Sequence, residues 1–402
     1  MTSRDLQEEL VAETAPEGLL RETPLKACHE ESRAHLVPFH GWRMPLYYEP
    51  TGILAEHAAV RRGAGMFDVS HMGILVLSGE GSAQLLSRRT SARIDRLEPG
   101  QCRYTVFLRS DGTILDDAII SRLPGPTDRE TFLVVPNAGM TPRLLEVLLQ
   151  HRPRHVRIDR LNGSVAILAV QGPRSPEILS AVTGWDLSGL RSYRGALFPF
   201  TAGAIPGPGG SADPTGPDLF RDRAWVSRTG YTGEMGFEVF LEGTRAEFLW
   251  RSLQRAGVVP CGLGARDTLR MEMGYLLSGE DFHGDRTPLE AGLERFLEFD
   301  HPFVGREALE KQRAQGGYPR FIGLRMEGPG AIPRRGAGIW RDGTMVSRVT
   351  SGGQSPTLGV GIALAYLPPD LAVPGTRLEI EVRDRRAPAE VVPRPFVHPS
   401  ST

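Results

Sequence analysis

The sequence predicts an α+β chain: two related α+β units followed by a separate all-β domain. Two observations carry this expectation. Between Met72 and about Ala256 the order strand, helix, hairpin, helix runs twice. From about Arg320 the character changes to short strands separated by Gly and Pro clusters.

The first 22 residues hold Asp5, Glu8, Glu9, Glu13, Glu17 and Glu22 against Arg4 and Arg21. Signal peptides need a basic start and an apolar core, and transit peptides are poor in acids, so residues 1–22 read as an extension. In the first unit Ile74 to Leu77 is an apolar strand, and a helix follows from Ser82 to Thr90. Tyr104 to Leu108 and Ile114 to Ile120 flank Asp111-Gly112, a strong hairpin signal. Phe132 to Val135 is another strand, and Thr141 to His151 repeats apolar residues at helical spacing. The second unit opens with Val165 to Val170, breaks at Gln171-Gly172-Pro173, and continues as a helix over Glu177 to Val182. Trp225 to Ser227 and Phe237 to Leu241 flank a glycine-rich turn, and a helix runs from Arg245 to Ala256. Ala202 to Asp218, rich in Gly, Pro, Ala and Ser, reads as a disordered or mobile surface loop. Phe321 to Met326, Thr344 to Thr350, Gly361 to Leu367 and Arg377 to Val382 are the strands of a terminal barrel or sandwich.

Composition narrows the function. A chain of 402 residues, 40% hydrophobic and 24% charged, with net charge -1, is an ordinary globular protein. It lacks the basic field that nucleic acid or an anionic membrane would need. The 47 basic residues are nearly all Arg, Lys26 and Lys311 being the lysines, so chemistry through a lysine nucleophile is not expected. No GxxxxGK[ST], CxxC, HExxH or GxSxG is present, which speaks against a P-loop, a metal site or a serine hydrolase elbow. The three cysteines are widely spaced, as suits a reducing cytoplasm.

Some segments invite a chemical reading. Asp116-Asp117 interrupts the apolar strand ILDDAII. Adjacent strand residues point to opposite faces, so the two carboxylates are not expected to form a pair on one surface. Either one acid faces a cavity or both sit solvated on an edge strand. Ser227 to Glu238 has glycines at 230, 233 and 236, a loop that lets a ligand approach backbone closely, with Tyr231 at the turn. A plain hairpin turn is the alternative. Arg266 and Arg270 share one face of a helix opened by Gly262, where an Arg fork suits a carboxylate or phosphate, or else a surface ion-pair network with Asp267 and Glu272. His29, His35, His40, His57 and His71 show no ligand spacing and read as structural or solvated.

Together these segments resemble the glycine cleavage T-protein family. The likeness is carried by Thr23-Pro24-Leu25, Phe67-Asp68-Val69-Ser70-His71-Met72, Gly112 to Asp117, Gly230-Tyr231-Thr232-Gly233-Glu234, Gly264-Ala265-Arg266-Asp267, Thr287 to Gly292 and Phe303 to Leu309, in that order. It implies a three-domain cloverleaf: interleaved α+β lobes over residues 23–318 and a C-terminal β-barrel over 319–402, around a central folate cavity. The implied activity is a tetrahydrofolate-dependent aminomethyltransferase, with a lipoylated carrier protein as partner and tetrahydrofolate as co-substrate. Nucleic acid and membrane are not expected as partners, and the oligomeric state is left open, a monomer being the simpler expectation.

Carried over residue by residue, the resemblance makes Asp117 the catalytic carboxylate near the reactive nitrogens of the folate. It implies Tyr104, Asn137, Tyr231, Arg266 and Tyr275 as further folate-pocket residues, and Glu238 as the acid that meets the pterin edge. The chain departs from the family's pattern at Thr90-Ser91-Ala92, Leu277-Ser278-Gly279, Val134 to Ala138 and Ser121. Another folate-dependent demethylase of the same superfamily is therefore an alternative. A folate-binding helper of iron–sulfur assembly is a weaker one, since Pro302 to Glu307 lacks the required Cys.

Overall fold

The computed structural model describes residues 20–49, 51–125, 130–201, 219–383 and 385–399. Most of the expected N-terminal extension and the expected loop at 202–218 lie outside the described residues.

A short helix α1 (Lys26–Glu31) leads into the hairpin β1 (Ala34–Phe39) and β2 (Trp42–Tyr48), then α2 (Gly52–Arg62) and β3 (Gly65–Asp68). The first unit is β4 (Leu75–Ser78), α3 (Ser82–Arg89), β5 (Cys102–Leu108), β6 (Ile114–Arg122), β7 (Thr131–Pro136), α4 (Thr141–His151) and β8 (Arg157–Arg160). The second is β9 (Val165–Gln171), α5 (Ser175–Thr183), β10 (Gly195–Pro199), β11 (Arg223–Ser227), β12 (Gly236–Glu242), α6 (Gly243–Arg255) and β13 (Val259–Pro260). Helices α7 (Leu263–Glu272) and α8 (Arg306–Gln315) precede β14 (Arg320–Met326), β15 (Gly338–Arg341), β16 (Thr344–Gln354), β17 (Gly361–Leu367), β18 (Arg377–Val382) and β19 (Arg385–Val392).

The doubled pattern becomes two sheets of matching order. The first runs β5-β6-β7-β4-β8 and the second β10-β11-β12-β9-β3-β13. They correspond strand for strand until the last places. Where β8 pairs with β4 in the first sheet, β3 pairs antiparallel with β9 in the second. Because β3 precedes the first unit in the chain, the backbone crosses between the sheets before either is complete. β9 sits between β12 and β3 and is buried along its whole length, which is why its sequence is an unbroken apolar run.

The terminal strands close as the barrel β14-β17-β16-β15-β18-β19. Sequence pattern identifies four of these strands and misses β15 and β19. β15 has only 4 residues, and β19 contains Pro388, a residue that argues against a strand when read locally.

The end of α7 fastens the barrel to the lobes. Glu272 is wholly buried there. It accepts hydrogen bonds from Ser355 Oγ at 2.6 Å and Thr357 N at 3.0 Å, both in the β16–β17 connection, and from Arg61 Nη2 of α2 at 2.8 Å. Arg61 also reaches Glu234 at 3.0 Å in the turn before β12. A buried carboxylate survives in such a place because cations and hydroxyls replace the lost water.

Candidate active site

A cavity of about 840 Å³ lies between the sheets, walled by β5, β6, β11–β12, α7 and the segment after it, and Arg394-Pro395 beyond the barrel's last strand. That volume lies in the range of small-molecule sites. Tyr104, Asp117, Asn137, Tyr231, Glu238, Arg266 and Tyr275 all line it.

The Asp111-Gly112 hairpin fixes one wall. Gly112 takes φ 84°, a left-handed conformation, and Asp111 Oδ1 accepts from Thr113 N at 2.9 Å, which closes the turn. Tyr104 on β5 then donates its hydroxyl to Asp117 Oδ2 on β6 at 2.8 Å. Asn137, just past β7, donates Nδ2 to Asp117 Oδ1 at 2.5 Å and to Asp116 Oδ1 at 2.8 Å, while its backbone N donates to Asp116 Oδ2 at 3.0 Å.

This geometry decides between the two sequence readings of the acids: Asp117 lines the cavity and Asp116 does not, so one acid faces a cavity. β6 lies between β5 and β7, so it is not an edge strand, and Asp116 is wholly buried rather than solvated. Strand alternation holds across the pair, since Asp117 and Asp116 oppose Val106 and Phe107 in unbroken register. The Asn137 amide, just past the end of β7, nonetheless reaches both acids. Burial is the larger influence raising the Asp117 carboxyl above the usual range, and the Tyr104 and Asn137 hydrogen bonds oppose it. Tyr104 is itself pushed up, by burial first and by the Asp117 charge second.

The facing wall is the glycine-rich turn between β11 and β12, packed on α7. A Cβ on Gly230 would come within 2.1 Å of Gln171 Oε1, so any larger residue there would displace that clamp. Gln171 Oε1 also accepts from Thr232 Oγ1 at 2.9 Å. Tyr231, held at the turn, donates its hydroxyl to the Leu276 carbonyl and stacks on Tyr275 at 5.7 Å between ring centroids. The Arg266 guanidinium sits 4.8 Å above the Tyr231 ring. Burial lowers its pKa while Glu238 and Tyr231 pull it back. Among the described residues the Arg266 guanidinium has no hydrogen-bond or ion-pair partner. Glu238 on β12 accepts from Thr229 Oγ1 at 2.5 Å.

Arg266 and Arg270 leave one helix but do different work. Arg270 is buried in an internal network with Asp267 at 2.7 Å, Asp281 at 3.0 Å and Ser351 at 3.0 Å. The ion-pair alternative thus describes Arg270, in the interior rather than on the surface. Glu272 partners Arg61 instead.

Sequence reasoning missed other wall residues. His71 is nearly inaccessible, and its Nδ1 has no partner among the described residues. Burial, with Arg266 second, holds its pKa at about 3, so a neutral imidazole lines the cavity. Its place between two residues of the segment that carries the family likeness was the available signal. Arg394 donates to the Gly274 carbonyl at 2.9 Å and the Phe321 carbonyl at 3.0 Å, which brings the chain's end to the cavity. No local pattern distinguishes it from the other arginines.

Comparison with known proteins agrees with this architecture. The GCVT N-terminal domain profile matches residues 25–202 and 217–301, and that of the glycine cleavage T-protein C-terminal barrel domain matches 320–398. The aminomethyltransferase of Thermosynechococcus vestitus is 41% identical over 385 residues, covering 95% of this chain and 97% of its own length. That of Streptomyces coelicolor is 41% identical over 390 residues, covering 94% and 97%. The crystal structure of the glycine cleavage system aminomethyltransferase T from Bartonella henselae superposes with a TM-score of 0.83 at 31% identity, covering 94% of this chain and 99% of that one. With profile, relatives and fold in agreement over nearly the whole chain, this protein belongs to the glycine cleavage T-protein family of aminomethyltransferases.

Proposed function

We propose that this protein transfers the one-carbon unit of an S-aminomethyl-dihydrolipoyl carrier protein to tetrahydrofolate with release of ammonia. The observation that carries the reading is Asp117. It is a carboxylate on a cavity wall, oriented by donors on both oxygens, with its remaining lone pairs available to a bound group. The rest of the wall fits a folate. Glu238 offers a carboxylate to a planar donor edge, Arg266 a guanidinium without a polar partner, and Tyr231 and Tyr275 flat apolar faces.

Bound tetrahydrofolate supplies the nitrogens that take up the one-carbon unit. The chain's own part is positional and electrostatic. Asp117 holds or accepts a proton at its carboxylate as the amine departs, Tyr104 and Asn137 fix the direction of that carboxylate, and Glu238 and Arg266 set the orientation of the ligand. The enclosing lobes exclude water that would otherwise hydrolyse the one-carbon unit. The test is turnover with a chemically aminomethylated lipoyl carrier. Ammonia release that requires tetrahydrofolate supports the reading. Folate binding without ammonia release, together with demethylation of a methoxy or methylthio compound, would replace it with the demethylase.

A further inference from the structure

Asp116 and Asp117 are two carboxylates held by one neutral amide. Asn137 Nδ2 is 2.8 Å from one and 2.5 Å from the other, and no described Arg or Lys forms an ion pair with either. Two like charges this close, in an interior without a counter-cation, cannot both persist at low cost. The environments decide which one keeps a proton. Asp117 has the Tyr104 hydroxyl and the Asn137 amide as donors to its ionised form and borders the cavity. Asp116 has no exposure and does not line the cavity. Its partners Asn137 N and Nδ2 can only donate. Ser278 Oγ, 3.3 Å from Asp116 Oδ1, is the neighbour able to accept a hydrogen. Ser278 lies in the segment after α7 and does line the cavity.

We infer that Asp116 is a positioning residue that stays protonated toward Ser278 and, through Asn137, keeps the pair's single negative charge on Asp117. The groups around it agree. Its partner on β5 is Phe107, Asn137 comes from the end of β7, and the ionisable neighbours are Asp117 and, behind it, Tyr104. Burial first and the Asp117 charge second push the Asp116 carboxyl up to about 8. The inference rests on Asp117 as the proton-handling group of the proposed reaction.

The test is an infrared pH titration of the ligand-free full chain, reading the carbonyl stretch of neutral carboxyl groups. A band present in the wild type at pH 7, fading near pH 8 and missing from Asp116→Asn, is expected. In Asp117→Asn the same band should fade at lower pH, because the charge opposing ionisation is gone. Identical neutral-carboxyl spectra for wild type and Asp116→Asn at pH 7 would overturn the inference. If Asp116→Asn does not fold, Ser278→Ala decides. Loss of the acceptor should shift the band and lower the pH at which it fades, and an unchanged titration contradicts the assignment. Turnover by Asp117→Asn would remove the catalytic role of Asp117 while leaving the band's assignment intact, so the two readings fail separately.

Discussion

At the residue scale the site is a balance between burial, which raises carboxyl pKa values, and hydrogen bonds, which lower them. Asp117 stands raised because burial wins. A base must be ionised to act, so the rate should rise with pH through an acidic limb placed above the usual carboxylate range. Tyr104→Phe removes a donor to the ionised form. A hydrogen bond to a charged group contributes about 1.5–3 kcal/mol, so the limb should move upward by about one pH unit or more. A pH–rate profile of that variant checks this, and an unmoved limb would mean that the hydroxyl does not tune Asp117. The family resemblance made Asp117 and Tyr104 candidates, and the hairpin signal put them on neighbouring strands. The sequence could not show Asn137 bridging both acids, since that depends on how the chain turns back after β7. His71 was read as structural or solvated for a similar reason. The Arg266 charge that acts on its imidazole comes from a helix far away in the chain.

At the element scale α7 carries Arg266 into the cavity and Glu272 into the joint with the barrel. Burial opposes the Glu272 charge, but His57, Ser355 and Thr357 outweigh it and lower its pKa from 4.5 to about 2. A carboxylate depressed by folding contributes stability above its ordinary value, and that stability is lost as pH falls from 4.5 through about 2. Glu272→Ala should destabilise the protein by about 3–5 kcal/mol, because it takes one of Arg61's two carboxylates and leaves the β16–β17 connection without its acceptor. It should also flatten the acid dependence in that window. Denaturant unfolding at pH 7 and pH 3 measures both effects; equal losses at the two pH values would count against the linkage. The elements around this joint were legible where periodicity was strong. The helix over Thr141 to His151 was read with its observed bounds. β15 and β19 escaped because a short strand and a proline-containing one leave little pattern, and the barrel supplies their pairing.

At the scale of the whole molecule the cavity exists only when the lobes and the chain's end come together, with walls running from Tyr104 to Arg394. The doubled α+β order was readable from local signals, but the crossing of β3 into the second sheet was not, because strand pairing across distant segments leaves no local trace. A ligand in a shared cavity stabilises the assembled state by mass action, about 2.7 kcal/mol at a hundredfold excess over Kd. Tetrahydrofolate should therefore raise Tm, and Arg266→Ala should shrink that rise without lowering the ligand-free Tm by a similar amount. Thermal unfolding with and without the ligand checks it, and an undiminished rise would remove Arg266 from the binding site. The most direct measurement of the central claim is single-turnover ammonia release from an aminomethylated lipoyl carrier, with wild type and Asp117→Asn compared at matched folding and folate binding. The predicted result is release that depends on tetrahydrofolate in the wild type, slowed by about 10²–10⁴ in the variant. Release at the wild-type rate from Asp117→Asn, or release that ignores tetrahydrofolate, would contradict it.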